Sequence, residues 1–222
     1  MFSFLKVKAV PTLFWSSPTV FTVRPPLLSL VFLVIGLTLF GLGEAMLVAA
    51  GIGVSPWTVF AQGVMLQTGW SLGLATLVIS FSVIACWWPL KQVPGIGTIA
   101  NALIIAAVLE FVLPWLPHAD SFASQLGYSI AGILVTGFGG AVYLIANLGP
   151  GPRDGLMTGL QRITARPIAQ VRGALEIAVV VIGFALGGTA GLGTLLFAFG
   201  IGPAVALGLY GCARLTGYRG VL

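Results

Sequence analysis

The chain has 222 residues, of which 58% are hydrophobic and only 7% charged, and its mean hydropathy is +1.09. A water-soluble core of this size cannot hide so much apolar surface, so the composition excludes an ordinary soluble domain and places the chain in a bilayer. The formal charge of +5 is no signal for nucleic acid, because the cations punctuate apolar runs and follow membrane topology instead. Cys86 and Cys212 lie far apart inside apolar runs, so the reading is packed or lipid-facing thiols, with no disulfide framework and no metal site.

Residues 1–26 hold Lys6, Lys8 and Arg24 among Phe2, Phe4, Phe14, Trp15 and Phe21, broken by Pro11, Pro18, Pro25 and Pro26. This suits a basic, aromatic arm at the cytoplasmic membrane surface, with a flexible tail as the alternative, and the prolines argue against a cleavable leader. A first span covers residues 27–49. After the Gly51-Ile52-Gly53 turn, Ser55 as N-cap and Pro56 at the first helical position open a short helix that ends near Gln67. At roughly 18 Å that helix is too short for a hydrocarbon layer of about 30 Å, so it dips in or lies flat. The second span, residues 71–90, closes with Trp87, Trp88 and Lys91 as an interfacial belt, and the third, residues 98–116, ends at Trp115. The plan then recurs: a fourth span over 125–146, a short helix over 152–164, and spans over 168–187 and 192–213.

The recurrence is written into the residues. Gly53, Pro56 and Gly63 stand 96 positions before Gly149, Pro152 and Gly159, and Gly95-Ile96-Gly97-Thr98 stands 96 before Gly191-Leu192-Gly193-Thr194. Without a gap, 15 of the 67 pairs starting at position 36 are identical, where this composition alone gives roughly six. Six spans, with both short helices left non-spanning, put Lys6, Lys8, Arg24, Lys91, Arg153, Arg162, Arg166, Arg172, Arg214 and Arg219 on or near the cytoplasmic side and none outside. A unit of three spans must enter the membrane from the opposite face to its predecessor, so the two copies are read as inverted repeats. The expected fold is an all-α polytopic membrane helix bundle of 3+3 design. Its parts are an arm over 1–26, repeats over 27–120 and 121–214, and a cytoplasmic tail over 215–222.

Gly-Val-Ser-Pro-Trp at 53–57 and Gly-Pro-Gly-Pro-Arg-Asp-Gly-Leu-Met at 149–157, with Val171-Arg172, Glu176 and Gly-Leu-Gly-Thr at 191–194, resemble the YczE/YitT-type family of bacterial integral membrane proteins. The likeness covers about residues 28–210 and implies a multi-span plasma-membrane protein, with little chemistry attached. Members of that family often carry an acidic residue after the first Trp. This chain has Thr58 there, so no symmetric acidic pair with Asp154 is implied.

Ionisable groups at membrane depth are costly, roughly 2.5–3.5 kcal/mol each on insertion scales, and so mark function by default. Glu44 lies two thirds of the way along the first span, and Arg172 and Glu176 share one face of the fifth. Each has a structural alternative: a neutral hydrogen-bonded Glu44 joining helices, and an interfacial ion pair. The Gly-Pro turns open short helices whose free N–H groups suit an anion or carbonyl, unless Asp154 satisfies them itself. Arg153 fits a carboxylate substrate, a lipid phosphate or Asp154. The candidate substrate-binding set is therefore Glu44, Ser55, Thr58, Asn147, Arg153, Asp154, Thr158, Arg172 and Glu176. Asn147 and Asn101 need partners in an apolar setting, most simply in capping or between helices. The glycines at 36–43 and 132–140 serve close packing of the first and fourth spans.

No nucleotide loop, metal spacing or catalytic set can be assembled, so neither enzyme nor cofactor is expected. The leading expectation is a secondary transporter or exporter of a small polar or carboxylate-bearing solute in a bacterial plasma membrane. The alternative is a non-transporting partner of a cytoplasmic enzyme, docking through Arg153, Arg162, Arg166 and Arg219.

Overall fold

The computed structural model describes residues 10–217; Lys6, Lys8 and Arg219, assigned above to the cytoplasmic side, lie outside them. The described residues form α1 (Leu27–Ala50), α2 (Pro56–Thr68), α3 (Leu72–Ala85), α4 (Ile96–Val112) with a 3-10 turn (Leu113–Trp115), α5 (Phe122–Ala146), α6 (Pro152–Thr164), α7 (Ile168–Ala185) and α8 (Leu192–Leu215), with no strand among them. Five helices are long and apolar enough to cross a membrane: α1, α4 with its 3-10 extension, α5, α7 and α8. A sixth span exists if α2 and α3, bent by 113° at their junction, are taken together. The chain is thus a polytopic helical membrane protein. Its second span is shorter than expected, because α3 has 14 residues, about 21 Å, before the chain turns at Cys86.

The bundle is organised on α1 and α5, which pack antiparallel through glycine. A Cβ on Gly36 would fall 2.8 Å from the Gly139 carbonyl oxygen, and one on Gly139 would fall 2.5 Å from that of Gly36. Gly43 and Gly132 repeat the arrangement at 2.5 and 2.8 Å. Backbones this close exclude any side chain, and the close approach recovers the dispersion energy that helices in lipid need in place of a hydrophobic drive. Around this pair α4 lies on α1, with Val108 against Gly41, and α8 lies on α5, with Ala204 against Gly137. Outside them α2 packs on α7 and α6 on α3. One difference separates the halves: α3 packs along α4, whereas α7 and α8 scarcely touch.

Each loop that enters a short helix is clamped by a helix of the other half. Gly97 N–H donates to the Leu148 carbonyl at 2.7 Å, and Gly193 N–H to the Ile52 carbonyl at 2.8 Å. Gly53 and Gly149, at φ 118° and 116°, occupy backbone conformations that other residues rarely adopt. The sharp entry into α2 and α6 therefore depends on glycine at both places.

Two expectations are corrected. The described part of the arm, from residue 10, does not hang free: residues 13–17 pack on the bundle. Trp15 is 4% exposed and stacks on Phe32 at 4.4 Å, Ser16 Oγ donates to the Ile145 carbonyl at 2.6 Å, and Ser17 N–H donates to the Ala146 carbonyl at 3.0 Å. The arm caps carbonyls at the end of α5 that would otherwise be unpaired. Trp87 is likewise no interfacial residue: it is 1% exposed, while Trp88 is 90% exposed. The Trp87 indole N–H donates to the Pro152 carbonyl at 3.0 Å, and Gly155 leaves room for its ring, so it seats the start of α6.

Candidate functional site

The starts of α2 and α6 converge. Pro56 and Pro152 occupy the first helical positions, where a missing N–H costs nothing. Trp57 and Arg153 follow them, and the Arg153 guanidinium carbon lies 5.5 Å from the Trp57 ring centroid, a cation–π contact. Both helix starts border a cavity of about 380 Å³, together with Asn101, Tyr143, Asp154, Arg172 and Glu176. Phe40, Phe197, Ile201, Val205 and Leu209 supply its apolar walls.

At the start of α2 the polar chemistry comes from α1. Glu44 is fully buried, and its Oε2 accepts from Ser55 Oγ and Thr58 Oγ1, each at 2.7 Å. Its Oε1 is buried without a partner. Ser55 holds the N-cap position as expected, but its side chain accepts no capping bond; its hydroxyl is turned to the Glu44 carboxyl, to which it donates. Glu44, Ser55 and Thr58 are not among the residues that line the cavity, whereas their chain neighbours Pro56 and Trp57 are. The acid missing after Trp57 is supplied from the neighbouring span.

At the start of α6 the acid is Asp154, on the helix itself. Its Oδ2 accepts from the Tyr143 hydroxyl of α5 at 2.9 Å, and it stands in the first turn of the helix. Among the described residues Arg153 makes no hydrogen bond and no ion pair. Burial pulls its guanidinium below the ordinary value, and the neighbouring acids, Glu44 first and then Asp154, pull it back. Arg172 Nε and Glu176 Oε1 pair at 2.8 Å on α7, as their spacing required.

Of the predicted site residues, Arg153, Asp154, Arg172 and Glu176 line the cavity, and Glu44, Ser55 and Thr58 form a buried hydrogen-bonded group of their own. Two lie elsewhere. Asn147 closes α5 at φ 54°, and its amide donates to the Ser17 carbonyl at 2.8 Å, tying down the arm. Thr158 Oγ1 donates to the Gly155 carbonyl at 3.1 Å within its own helix. Arg162 is committed to the carbonyls of Leu90 and Lys91. Sequence reasoning missed Tyr143 and Trp57 as wall residues; the signal for Trp57 was its register, 96 positions before Arg153.

A helical bundle of five or six apolar spans enclosing a charged cavity defines an integral membrane protein. Residues 27–208 match DUF6198, a family of unknown function, and the chain belongs to that family. It is similar to an uncharacterized protein of Haemophilus influenzae, 40% identical over 210 residues that cover 95% of each chain. It is also similar to the uncharacterized membrane protein YczE of Bacillus subtilis, 27% identical over 190 residues, covering 82% of this chain and 86% of that one. A third relative is the uncharacterized protein YyaS of Bacillus subtilis, 25% identical over 166 residues, covering 73% and 83%. No solved structure matches. The YczE relationship bears out the resemblance carried by the Gly-Pro-Arg-Asp block.

Proposed function

We propose that the protein is a secondary transporter of a small, carboxylate-bearing solute, acting in a bacterial plasma membrane with both termini in the cytoplasm. In this reading two three-span units are inverted across the bilayer, and the solute binds where α2 and α6 meet. The observation that carries it is the cavity itself: both helix starts open onto one interior space that also holds the unpaired Arg153. Half-helix ends shielded from lipid and aimed at a common space are a recurrent way of holding a solute within a membrane.

The inverted arrangement is supported by contacts that exchange under the 96-residue shift. Gly36 meets Gly139 where Gly132 meets Gly43, and Gly97 binds Leu148 where Gly193 binds Ile52. Such exchange is what a two-fold relation requires. With α1 and α5 antiparallel, its axis would lie in the membrane plane. Trp57 and Arg153 are counterparts in contact, so both stand beside that axis. The packed α3–α4 side and the separated α7–α8 side would then be the two shapes that exchange in alternating access, with Glu44 and Glu176 available to carry a coupled proton. Docking to a cytoplasmic enzyme is less well supported, because Arg153 faces the cavity and Arg162 is already committed to carbonyls.

The test is uptake of a panel of small carboxylates into proteoliposomes by the wild type, Arg153→Ala and Glu176→Gln. Protein-dependent uptake lost in Arg153→Ala is expected. Unchanged flux in both variants would sink the site, and no flux of any panel member through folded protein would sink transport.

A further inference from the structure

We infer that the ligand is a small amphipathic anion: a carboxylate on an apolar aliphatic or aromatic body, seated with its charged end at Arg153. This rests on the binding site proposed above, and not on whether the ligand is carried across the membrane.

The sign of the charge follows from which polar groups of the cavity are already paired. Both lining carboxylates have a donor, Asp154 from Tyr143 and Glu176 from Arg172. Arg153 is the lining cation that makes no hydrogen bond or ion pair among the described residues. At Gly151 a Cβ would lie 3.2 Å from Asp154 Oδ2 and 3.3 Å from the Asn101 amide nitrogen. An unpaired guanidinium calls for an anion, and one held over an aromatic face is pre-oriented to fork onto a carboxylate. A cationic ligand would meet the guanidiniums of Arg153 and Arg172, and each lining carboxylate already holds one donor.

The body follows from the opposite wall. Phe197, Ile201, Val205 and Leu209 recur every four residues along α8, a stripe of about 18 Å, and Phe40 faces the cavity from α1. No polar side chain interrupts that stripe. A ligand made only of polar groups would leave it wet, and in a cavity so lined apolar burial adds to affinity. The volume of about 380 Å³ is near the lower end for small-molecule sites, which excludes a whole phospholipid. Because α7 stands off α8, the apolar stripe borders the gap through which a hydrocarbon body can enter.

The experiment uses the full chain in lipid nanodiscs, with binding read by isothermal titration and by Trp fluorescence. The probes are hexanoate and phenylacetate, against acetate, succinate and inorganic phosphate, and against hexylamine and phenethylamine. Hexanoate and phenylacetate are expected to bind, acetate on the order of a hundredfold more weakly, and the amines not at all. Arg153→Gln is expected to weaken hexanoate about tenfold or more, and Arg153→Lys to recover part of that loss. Circular dichroism and elution profile establish that each variant is folded. Equal binding of acetate and hexanoate would overturn the apolar body while leaving an anion site standing. Binding of the amines as well as the acids, or hexanoate binding that survives Arg153→Gln, would reduce the effect to partition into lipid and overturn the inference. Binding of succinate or phosphate alone would support the site and overturn this ligand class, and binding of no anion would remove both.

Discussion

Truncating Glu44 to Ala removes an acceptor on which two buried hydroxyls converge. Ser55 Oγ and Thr58 Oγ1 each lie 2.7 Å from Oε2, and hydrogen bonds to a charged or strongly polar acceptor contribute about 1.5–3 kcal/mol each. The two hydroxyls stand 3.0 Å apart, so on truncation one can donate to the other, which returns about 1 kcal/mol. Losing Glu44 also relieves the unpartnered Oε1, a further offset of about 1 kcal/mol. The net expectation is a loss of about 1–4 kcal/mol for Glu44→Ala and less than about 1 kcal/mol for Glu44→Gln, which keeps the acceptor. Combining Glu44→Ala with Thr58→Val should cost clearly less than the sum, because the valine removes one of the stranded donors. The assay is thermal unfolding with a thiol-reactive dye in a Cys86→Ser background. The remaining Cys212 is buried and reports the opening of the fold. A Glu44→Ala protein as stable as wild type, or strict additivity with Thr58→Val, would refute the idea that this carboxyl seats the start of α2.

Three other outcomes follow from the packing and can be checked in the same assay. Gly139→Val places a side chain against the Gly36 carbonyl oxygen, where a single Cβ would already be 2.5 Å away. It should cost at least the roughly 1–3 kcal/mol of an overpacked core and lower expression. Trp87→Phe keeps the ring but gives up the bond to the Pro152 carbonyl, about 1 kcal/mol; hexanoate affinity should fall with it, since that bond seats the start of α6. Trp15→Ala strips the arm of its stack on Phe32 and should cost about 3 kcal/mol or more, with faster proteolysis between residues 10 and 26 as a second readout.

How much of this was legible in the sequence depends on what kind of signal each feature left. Helix bounds were legible where glycine and proline punctuate: Pro56 and Pro152 marked the first residues of α2 and α6. The pairing of Arg172 with Glu176 was legible because four residues is one helical turn. The partner of Glu44 was not, although Ser55 and Thr58 are close by in sequence, because the loop over residues 51–55 has to fold back along α1 for them to meet. Trp87 was misread because a Trp beside a Lys at a span's end usually marks an interface, and only Gly155, far along the chain, makes room for it. Asn147 closes α5, as the capping alternative had it; its side-chain partner was not legible, because a backbone carbonyl of the arm leaves no mark in a sequence. The separation of α7 from α8 is likewise a property of packing, since the matching segments α3 and α4 have comparable composition and do pack together.

The inverted design is tested most directly by asking on which face each short helix ends. Thr68 closes α2 and Thr164 closes α6, and both are exposed. Single cysteines placed there, with Cys86 and Cys212 replaced by serine, can be labelled with a membrane-impermeant maleimide in intact cells and again after permeabilisation. Thr68→Cys should label from outside, and Thr164→Cys only once the membrane is opened. Labelling of both from the same face would contradict the two-fold relation and, with it, the shared binding site.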